Sequence, residues 1–210
     1  YRKYLSANVA DFVMTNPGAM ALGGQRAQAT VMFVDIRDFT PFSEGMPPEV
    51  VVEVLNRVFS VLVEIVFRHG GTLDKFLGDG LMAVFGVPKP MEDAQGEAVA
   101  AALEMLAAIK LLNTAKVAGD HPLRIGLGIA HGVVVAGNVG STERMEFTVI
   151  GDTVNYASRL QNLCKDSNQD IVVSESVHDA IEGRYSLVAM PKVRIKGKSG
   201  EPNTWAVTGA

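Results

Sequence analysis

Two aspartates stand where strands and turns could bring their carboxylates together. Asp35 ends the apolar run 29–34, and Asp79 lies in the turn 77–80 between two strand-like segments. If the first strand and this hairpin are neighbours in one sheet, both carboxylates meet at one edge. Paired carboxylates with few other protein ligands suit Mg²⁺ and occur in two-metal phosphoryl-transfer sites. The structural alternative is that Asp35 caps a turn and Asp79 only shapes the hairpin.

Hydrophobic periodicity predicts the elements that must position these aspartates. Strands are predicted at 29–34, 72–76, 81–85, 123–129, 133–135, 171–173 and 193–195, with His131-Gly132 as the turn between the fourth and fifth. Long helices are predicted from Pro48 to about residue 69, from about 92 to 117, and from Asp152 as N-cap. The order indicates an α+β fold: a ferredoxin-like split βαβ core, an antiparallel-dominated sheet with helices on one face, and C-terminal additions.

The N-terminal segment reads separately from this core. Leu5, Val9 and Phe12 have helical spacing, and the segment 16–18 (Asn-Pro-Gly) breaks the pattern. We therefore predict an N-terminal linker helix in residues 1–18 and one catalytic domain in residues 19–210. Whether this helix links to an upstream domain or only packs on the core is open at this point.

Composition excludes several functional classes. The net charge of −4 argues against a nucleic-acid partner, since such proteins usually carry a basic surplus. The single cysteine, Cys164, excludes an intrachain disulfide and fits a reducing, cytoplasmic location. No apolar run approaches the ~20 residues that cross a bilayer. The chain begins with Tyr1, so we expect a piece of a longer protein with an upstream regulatory domain.

Three motifs in chain order carry a resemblance to a known family. They are 35–40 (Asp-Ile-Arg-Asp-Phe-Thr), 75–79 (Lys-Phe-Leu-Gly-Asp) and 151–159 (Gly-Asp-Thr-Val-Asn-Tyr-Ala-Ser-Arg). At this spacing the chain resembles the class III adenylyl cyclases over roughly residues 29–207. The resemblance implies a signalling enzyme that converts ATP into 3′,5′-cyclic AMP and pyrophosphate.

The resemblance also implies a metal and phosphate site. Asp35, Asp79 and the backbone carbonyl of Ile36 would hold two Mg²⁺ (or Mn²⁺) ions that activate the ribose 3′-hydroxyl and bridge the triphosphate. Backbone amides of Phe39 and Thr40 would bind phosphate oxygens. The family usually has glycine at the position of Asp38. The aspartate would either strengthen metal binding or point outward.

Four further residues match family positions that act on ribose and phosphates. Asn155 and Arg159 are four apart on one helix face, where the asparagine would orient the ribose and the arginine would neutralise charge on the α-phosphate. Arg124 would contact the phosphates, and Lys196 would bind the β- and γ-phosphates. The structural alternatives are a solvent-facing strand residue for Arg124, an acid-paired surface arginine for Arg159, and a solvated basic stretch for Lys196.

Two residues bear on the purine. Lys75 can donate to adenine N1, whereas guanylyl cyclases of the family generally carry an acid there. Thr148 replaces the aspartate that is commonest in adenylyl cyclases, and its hydroxyl can accept from the adenine amino group. Thr148 resembles a bacterial subgroup that includes bicarbonate-responsive cyclases. The resemblance therefore implies ATP as substrate, with a guanylate cyclase as the alternative.

The resemblance implies a homodimer, because family active sites lie between two protomers. One protomer would supply the metal aspartates and Arg124, and its partner would supply the remaining side chains: Lys75, Thr148, Asn155, Arg159 and Lys196. One chain carries both sets, so a twofold dimer would have two equivalent sites. A non-catalytic, cyclase-like dimerisation module is the alternative from another functional class.

Overall fold

The structure, a computed structural model, describes residues 7–16, 23–141 and 143–209 of the 210-residue chain. Six helices are found in these residues: α1 Ala7–Thr15, α2 Phe39–Glu44, α3 Pro48–Arg68, α4 Ala94–Thr114, α5 Asp152–Ser167 and α6 Glu175–Ile181. Eight strands accompany them: β1 Gly23–Ile36, β2 Thr72–Leu77, β3 Gly80–Phe85, β4 Ile125–Gly140, β5 Met145–Ile150, β6 Ile171–Ser174, β7 Ser186–Ala189 and β8 Thr204–Gly209. Among the described residues, no helix has the length and hydrophobicity that a membrane span requires.

The strands form one sheet in the order β2-β3-β1-β4-β6-β8-β7, with β5 paired to β4. The first four strands are antiparallel neighbours, with β1 between β3 and β4. Only β6 runs parallel to its neighbour β4. This is the predicted ferredoxin-like core in an antiparallel-dominated sheet, and β6 to β8 are the predicted C-terminal additions. The fold class is therefore confirmed.

Helices cover both faces of the sheet. On one face α3, α4 and α6 bury a cluster that contains Val58, Met105 and Ile181. On the other face α5 buries a second cluster around Leu160 and Cys164. The backbone of α5 lies so close to β4 that a Cβ at Gly128 would collide with it. The prediction of helices on one face thus holds for the core helices, whereas α5 lies on the opposite face.

The predicted turn at His131-Gly132 is wrong, because β4 runs through it without interruption. Both residues pair with β1, His131 with Thr30 and Gly132 with Ala29. Glycine serves close packing here, since a Cβ at Gly132 would lie 2.7 Å from Oγ1 of Thr153 in α5. The predicted strand at 193–195 is also absent, and these residues form an irregular segment before β8.

The N-terminal helix packs on the core. The Asn8 amide donates to the carbonyls of Gly70 and Gly71 at 3.1 and 3.0 Å, and the Phe12 ring lies 6.2 Å from the Phe147 ring in β5. Residues 7–15 therefore pack on the core, and the role of this helix as a linker stays a prediction. Leu5 and the break at 17–18 lie outside the described residues, and the domain boundary at residue 18 stays a prediction.

Candidate active site

Asp35 and Asp79 converge, as the sequence predicts. Asp35 is the penultimate residue of β1 and pairs with Gly80 at the start of β3. The Ile36 amide donates to the Asp79 carbonyl at 3.2 Å, which ties the β2–β3 turn to the end of β1. The two carboxyl groups are close enough to interact electrostatically. Strand pairing therefore places both acids at one edge of the sheet.

Two carboxyl groups this close together would repel each other when both are ionised, and a bound cation would relieve that repulsion. Burial, the charge of Asp79 and the hydrogen bond between the two carboxyls raise the pKa of Asp35 to about 7. The described residues contain no cluster of three or more histidine, cysteine or acidic ligands. Two carboxylates plus backbone carbonyls leave coordination positions for water and phosphate oxygens, which fits Mg²⁺ rather than a structural zinc site. The donor set therefore fits the expected metal ions.

The loop after β1 turns Asp38 away from this pair. Asp38 precedes α2 in a left-handed conformation with φ 54°, which explains why glycine suits this position in the family. Its side chain is 65% exposed and lies 3.7 Å from the Lys165 ammonium group. Of the two alternatives for Asp38, the outward one applies. Phe39 and Thr40 form the first turn of α2, where backbone amides lack intrahelical partners.

Arg124 lies beside this loop through its backbone, since the Arg37 amide donates to its carbonyl at 2.8 Å. The guanidinium turns elsewhere, to Asn168 at 3.3 Å and Asp170 at 3.4 Å. Its side chain is 51% exposed. The structure therefore brings the backbone of Arg124, but not its charge, to the aspartates.

Arg37 is a positioning residue that sequence reasoning missed. Its side chain is buried, and its guanidinium donates to the carbonyls of Cys164 and Gln169 and lies 3.5 Å from Asp170. These contacts anchor the residue next to Ile36 to the end of α5. The sequence offered one indication, because Arg37 lies inside the first motif. Hydrophobic periodicity, however, does not predict that a charged side chain is buried.

Lys75 and Thr148, the two residues predicted to contact the purine, meet at Asp74, which the sequence analysis missed. The Thr148 hydroxyl donates to Asp74 at 2.8 Å, and the Lys75 ammonium lies 3.5 Å from the same carboxylate. Lys75 also lies 4.0 Å from the Glu146 carboxylate. Residues from β2 and β5 thus form one polar group, although these two strands do not pair.

The third motif forms the start of α5, with Gly151 as N-cap and Asp152 as the first helical residue, not the cap predicted. Asn155 is exposed on this helix. Arg159 donates to the carbonyl of Lys196, so the segment before β8 folds over α5.

An ion pair also holds this segment against α5. Lys198 pairs with Asp152 at 2.6 Å and lies 4.5 Å from the Tyr156 ring. Among the residues that the structure describes, the Lys196 ammonium has no ion pair. It therefore stays available for an anionic ligand.

The resemblance divides most of the candidate residues into two groups by their expected roles. The first is the metal group, Asp35 and Asp79 with the loop that follows β1. The second is the recognition group, to which the resemblance assigns Lys75, Thr148, Asn155, Arg159 and Lys196. The structure joins Lys75 and Thr148 through Asp74, and it joins Arg159 to Lys196. No hydrogen bond or ion pair between described residues joins these two pairs. Within residues 7–16, 23–141 and 143–209, no hydrogen bond or ion pair joins a side chain of one group to the other.

A model of the adenylate and guanylate cyclase catalytic domain family matches residues 24–209. The chain belongs to this family, the class III nucleotide cyclases. The recognition made from the three motifs is confirmed. The match begins at β1 and ends in β8, so it covers both groups of the cyclase domain.

Relatives of this cyclase domain include enzymes of both purine specificities. Adenylate cyclase 1 of Rhizobium meliloti (strain 1021) is 35% identical over 185 residues, 88% of this chain and 28% of that protein. The crystal structure of the adenylyl cyclase CyaB from P. aeruginosa has a TM-score of 0.83 at 32% identity, covering 90% of this chain and 97% of that chain. The guanylyl cyclase Cya2 has a TM-score of 0.82 at 36% identity, with 90% and 95% covered. The chain thus spans little more than a quarter of that Rhizobium enzyme.

Proposed function

We propose that this cyclase domain converts ATP into 3′,5′-cyclic AMP and pyrophosphate as a homodimer. The observation that carries the proposal is the half-buried Asp35–Asp79 pair together with the Lys75, Asp74 and Thr148 contacts on the same chain. A carboxylate pair alone would suit many phosphoryl-transfer sites. The recognition group adds a basic and a hydroxyl side chain for a purine.

The reaction joins the ribose 3′-oxygen to the α-phosphorus and breaks the bond to the bridging oxygen of pyrophosphate, while the hydroxyl proton leaves to solvent. Asp35, Asp79 and the Ile36 carbonyl would hold two Mg²⁺ (or Mn²⁺) ions. These metals supply positive charge that activates the 3′-hydroxyl and neutralises the triphosphate. Amides of Phe39 and Thr40 would bind phosphate oxygens at the start of α2.

The recognition group would act on the rest of the nucleotide. Asn155 would orient the ribose, and Arg159 would neutralise charge that develops on the α-phosphate. Lys196, whose ammonium is exposed, would bind the β- and γ-phosphates. Arg124 would reach the phosphates only after it leaves Asn168 and Asp170, which a 51% exposed side chain can do.

Lys75 and Thr148 support ATP as the substrate. An ammonium group donates to adenine N1, and a hydroxyl oxygen accepts from the adenine 6-amino group. Guanine carries a hydrogen-bond donor at N1, and the Lys75 ammonium group, itself a donor, could not bond to it. The guanylyl cyclase alternative rests on the similarity to Cya2, whose TM-score of 0.82 at 36% identity is close to the 0.83 at 32% identity for CyaB.

The division of roles supports a dimer, because in the described part of one chain no hydrogen bond or ion pair joins the metal aspartates to the residues that would bind the purine, the ribose and the terminal phosphates. Apolar side chains beside the recognition group are exposed as well: Phe76 50%, Leu77 43%, Val139 49% and Ile150 51%. Exposed apolar residues of this kind commonly mark interfaces. The length of Adenylate cyclase 1 supports an upstream regulatory domain, and we propose a cytoplasmic location.

The test is to incubate the purified domain with ATP or GTP, with Mg²⁺ or Mn²⁺, and to quantify cyclic nucleotides by mass. We expect cyclic AMP from ATP, with activity that rises more than linearly with protein concentration. Asp35→Ala and Arg159→Ala should each be inactive, and mixing them should restore activity because heterodimers contain one intact site. A mixture that stays inactive would argue against the shared site, and dominant cyclic GMP would favour the guanylyl alternative.

A further inference from the structure

Asp74 lies at an irregularity in β2 that directs its side chain. Leu73 pairs with Ala83 and Lys75 pairs with Met82, so Asp74 is an extra residue without a partner in β3. Such a bulge changes the direction in which a strand presents its side chains. The Asp74 side chain is only 3% exposed and reaches toward β5.

The surroundings of Asp74 contain donors. Oγ1 of Thr148 lies 3.0 and 2.8 Å from the two carboxylate oxygens, and the Val149 amide donates to one of them at 3.2 Å. Lys75 adds its ammonium group at 3.5 Å. Burial raises the pKa of Asp74, while the hydrogen bond from Thr148, the charge of Lys75 and the Val149 amide oppose this change. Donors on every contact suit an ionised carboxylate, which can only accept.

A threonine hydroxyl has one hydrogen and can otherwise turn to donate or accept. Thr148 directs that hydrogen to Asp74, so its oxygen presents only lone pairs to a further ligand. Within the described residues, no group donates to the Thr148 oxygen. The 6-amino group of adenine is a donor and fits such an acceptor, whereas the 6-oxo group of guanine is an acceptor and would be repelled.

We propose that Asp74 is a positioning residue for purine selectivity, because it holds Thr148 as a hydrogen-bond acceptor for the 6-amino group of the nucleotide. This inference rests on the proposed function and names the residue that makes its recognition group selective. Thr148 alone would accommodate either purine by rotating its hydroxyl. Asp74 removes that freedom.

Asp74→Asn is the decisive variant because it changes polarity with little change in shape. Its amide oxygen can still accept from the Val149 amide, and its NH₂ group can donate to the Thr148 oxygen. The Thr148 hydrogen is then free to donate to a 6-oxo group. We expect the ratio of kcat/KM for ATP over GTP to fall about tenfold, the effect of one hydrogen bond, mainly through KM.

Two further variants distinguish two roles of Asp74: orienting the Thr148 hydroxyl, and merely holding β5 against β2. Asp93→Asn removes a carboxylate that caps α4 and pairs with Arg184, with no hydrogen bond or ion pair to Asp74 or Thr148 among the described residues, and it should leave the ATP/GTP ratio unchanged. Thr148→Val removes the hydroxyl, and Asp74→Asn should not change the ratio further in that background. An equal loss of activity with both nucleotides in Asp74→Asn would overturn the inference and leave only a bracing role.

Binding of 3′-deoxy-ATP and 3′-deoxy-GTP, which lack the attacking hydroxyl, measures selectivity without turnover. If the wild type makes no cyclic nucleotide but its binding selectivity depends on Asp74, the proposed function fails and the inference stands. If the wild type makes cyclic AMP and Asp74→Asn leaves the binding selectivity unchanged, only the inference fails. Should Asp74→Asn not fold, the wild type is tested with purine riboside triphosphate, which keeps N1 but lacks the 6-amino group. About tenfold weaker binding than ATP is expected, and equal binding would refute the acceptor role of Thr148.

Discussion

Replacing Arg37 with methionine should destabilise the cyclase domain strongly. The buried guanidinium donates to the carbonyls of Cys164 and Gln169 and faces Asp170. A hydrogen bond that involves a charged group contributes about 1.5–3 kcal/mol. Methionine keeps most of the packing volume but none of the donors, so we expect a loss of about 3–5 kcal/mol. That is a large share of the roughly 5–15 kcal/mol that stabilises a typical domain.

Arg124→Met is the matched control because both arginines lie near the same carboxylate of Asp170, at 3.5 and 3.4 Å. Their side chains differ in exposure, 7% for Arg37 and 51% for Arg124. Exposed ion pairs contribute at most about 1 kcal/mol, so the control should remain near wild type. Urea unfolding followed by circular dichroism measures both free energies. Equal losses for the two variants would refute the reasoning that the contacts of Arg37 stabilise the domain because they are buried.

Two further predictions concern other parts of the fold. Burial opposes the charge of His69, but hydrogen bonds to Glu104 and Glu97 outweigh it and raise its pKa. The stabilisation should therefore be full below the ordinary pKa of about 6.5 and vanish as pH rises through the folded-state pKa. Urea titrations of wild type and His69→Gln at a series of pH values should converge at high pH, and a constant difference would contradict this. Gly132→Ala should cost about 1–3 kcal/mol, because its Cβ would lie 2.7 Å from Oγ1 of Thr153. Adding Thr153→Ala should recover part of that loss in thermal unfolding, and strictly additive losses would rule out the contact as the cause.

Local patterns were sufficient for the core and for the metal pair. Short apolar runs predict β1 and β3, and the glycine-rich turn between β2 and β3 predicts the hairpin that these two strands form. Because β1 pairs directly with β3, Asp35 and Asp79 must meet wherever these strands form. The sequence pattern wrongly predicted a turn at Gly132. Glycine permits both a turn and close packing of a strand against a helix, and the sequence does not distinguish the two.

The sequence by itself determined the family and the strand order of the core, since these depend on motifs and short-range periodicity, whereas its assignment of site residues stays a prediction. Only the tertiary structure decided which partners those residues have. Asp74 and Thr148 are 74 positions apart and meet because β5 approaches β2 without pairing with it. Arg37 is buried because α5 packs on the face of the sheet opposite α3 and α4. Such contacts depend on how distant elements pack together, and no local pattern encodes that.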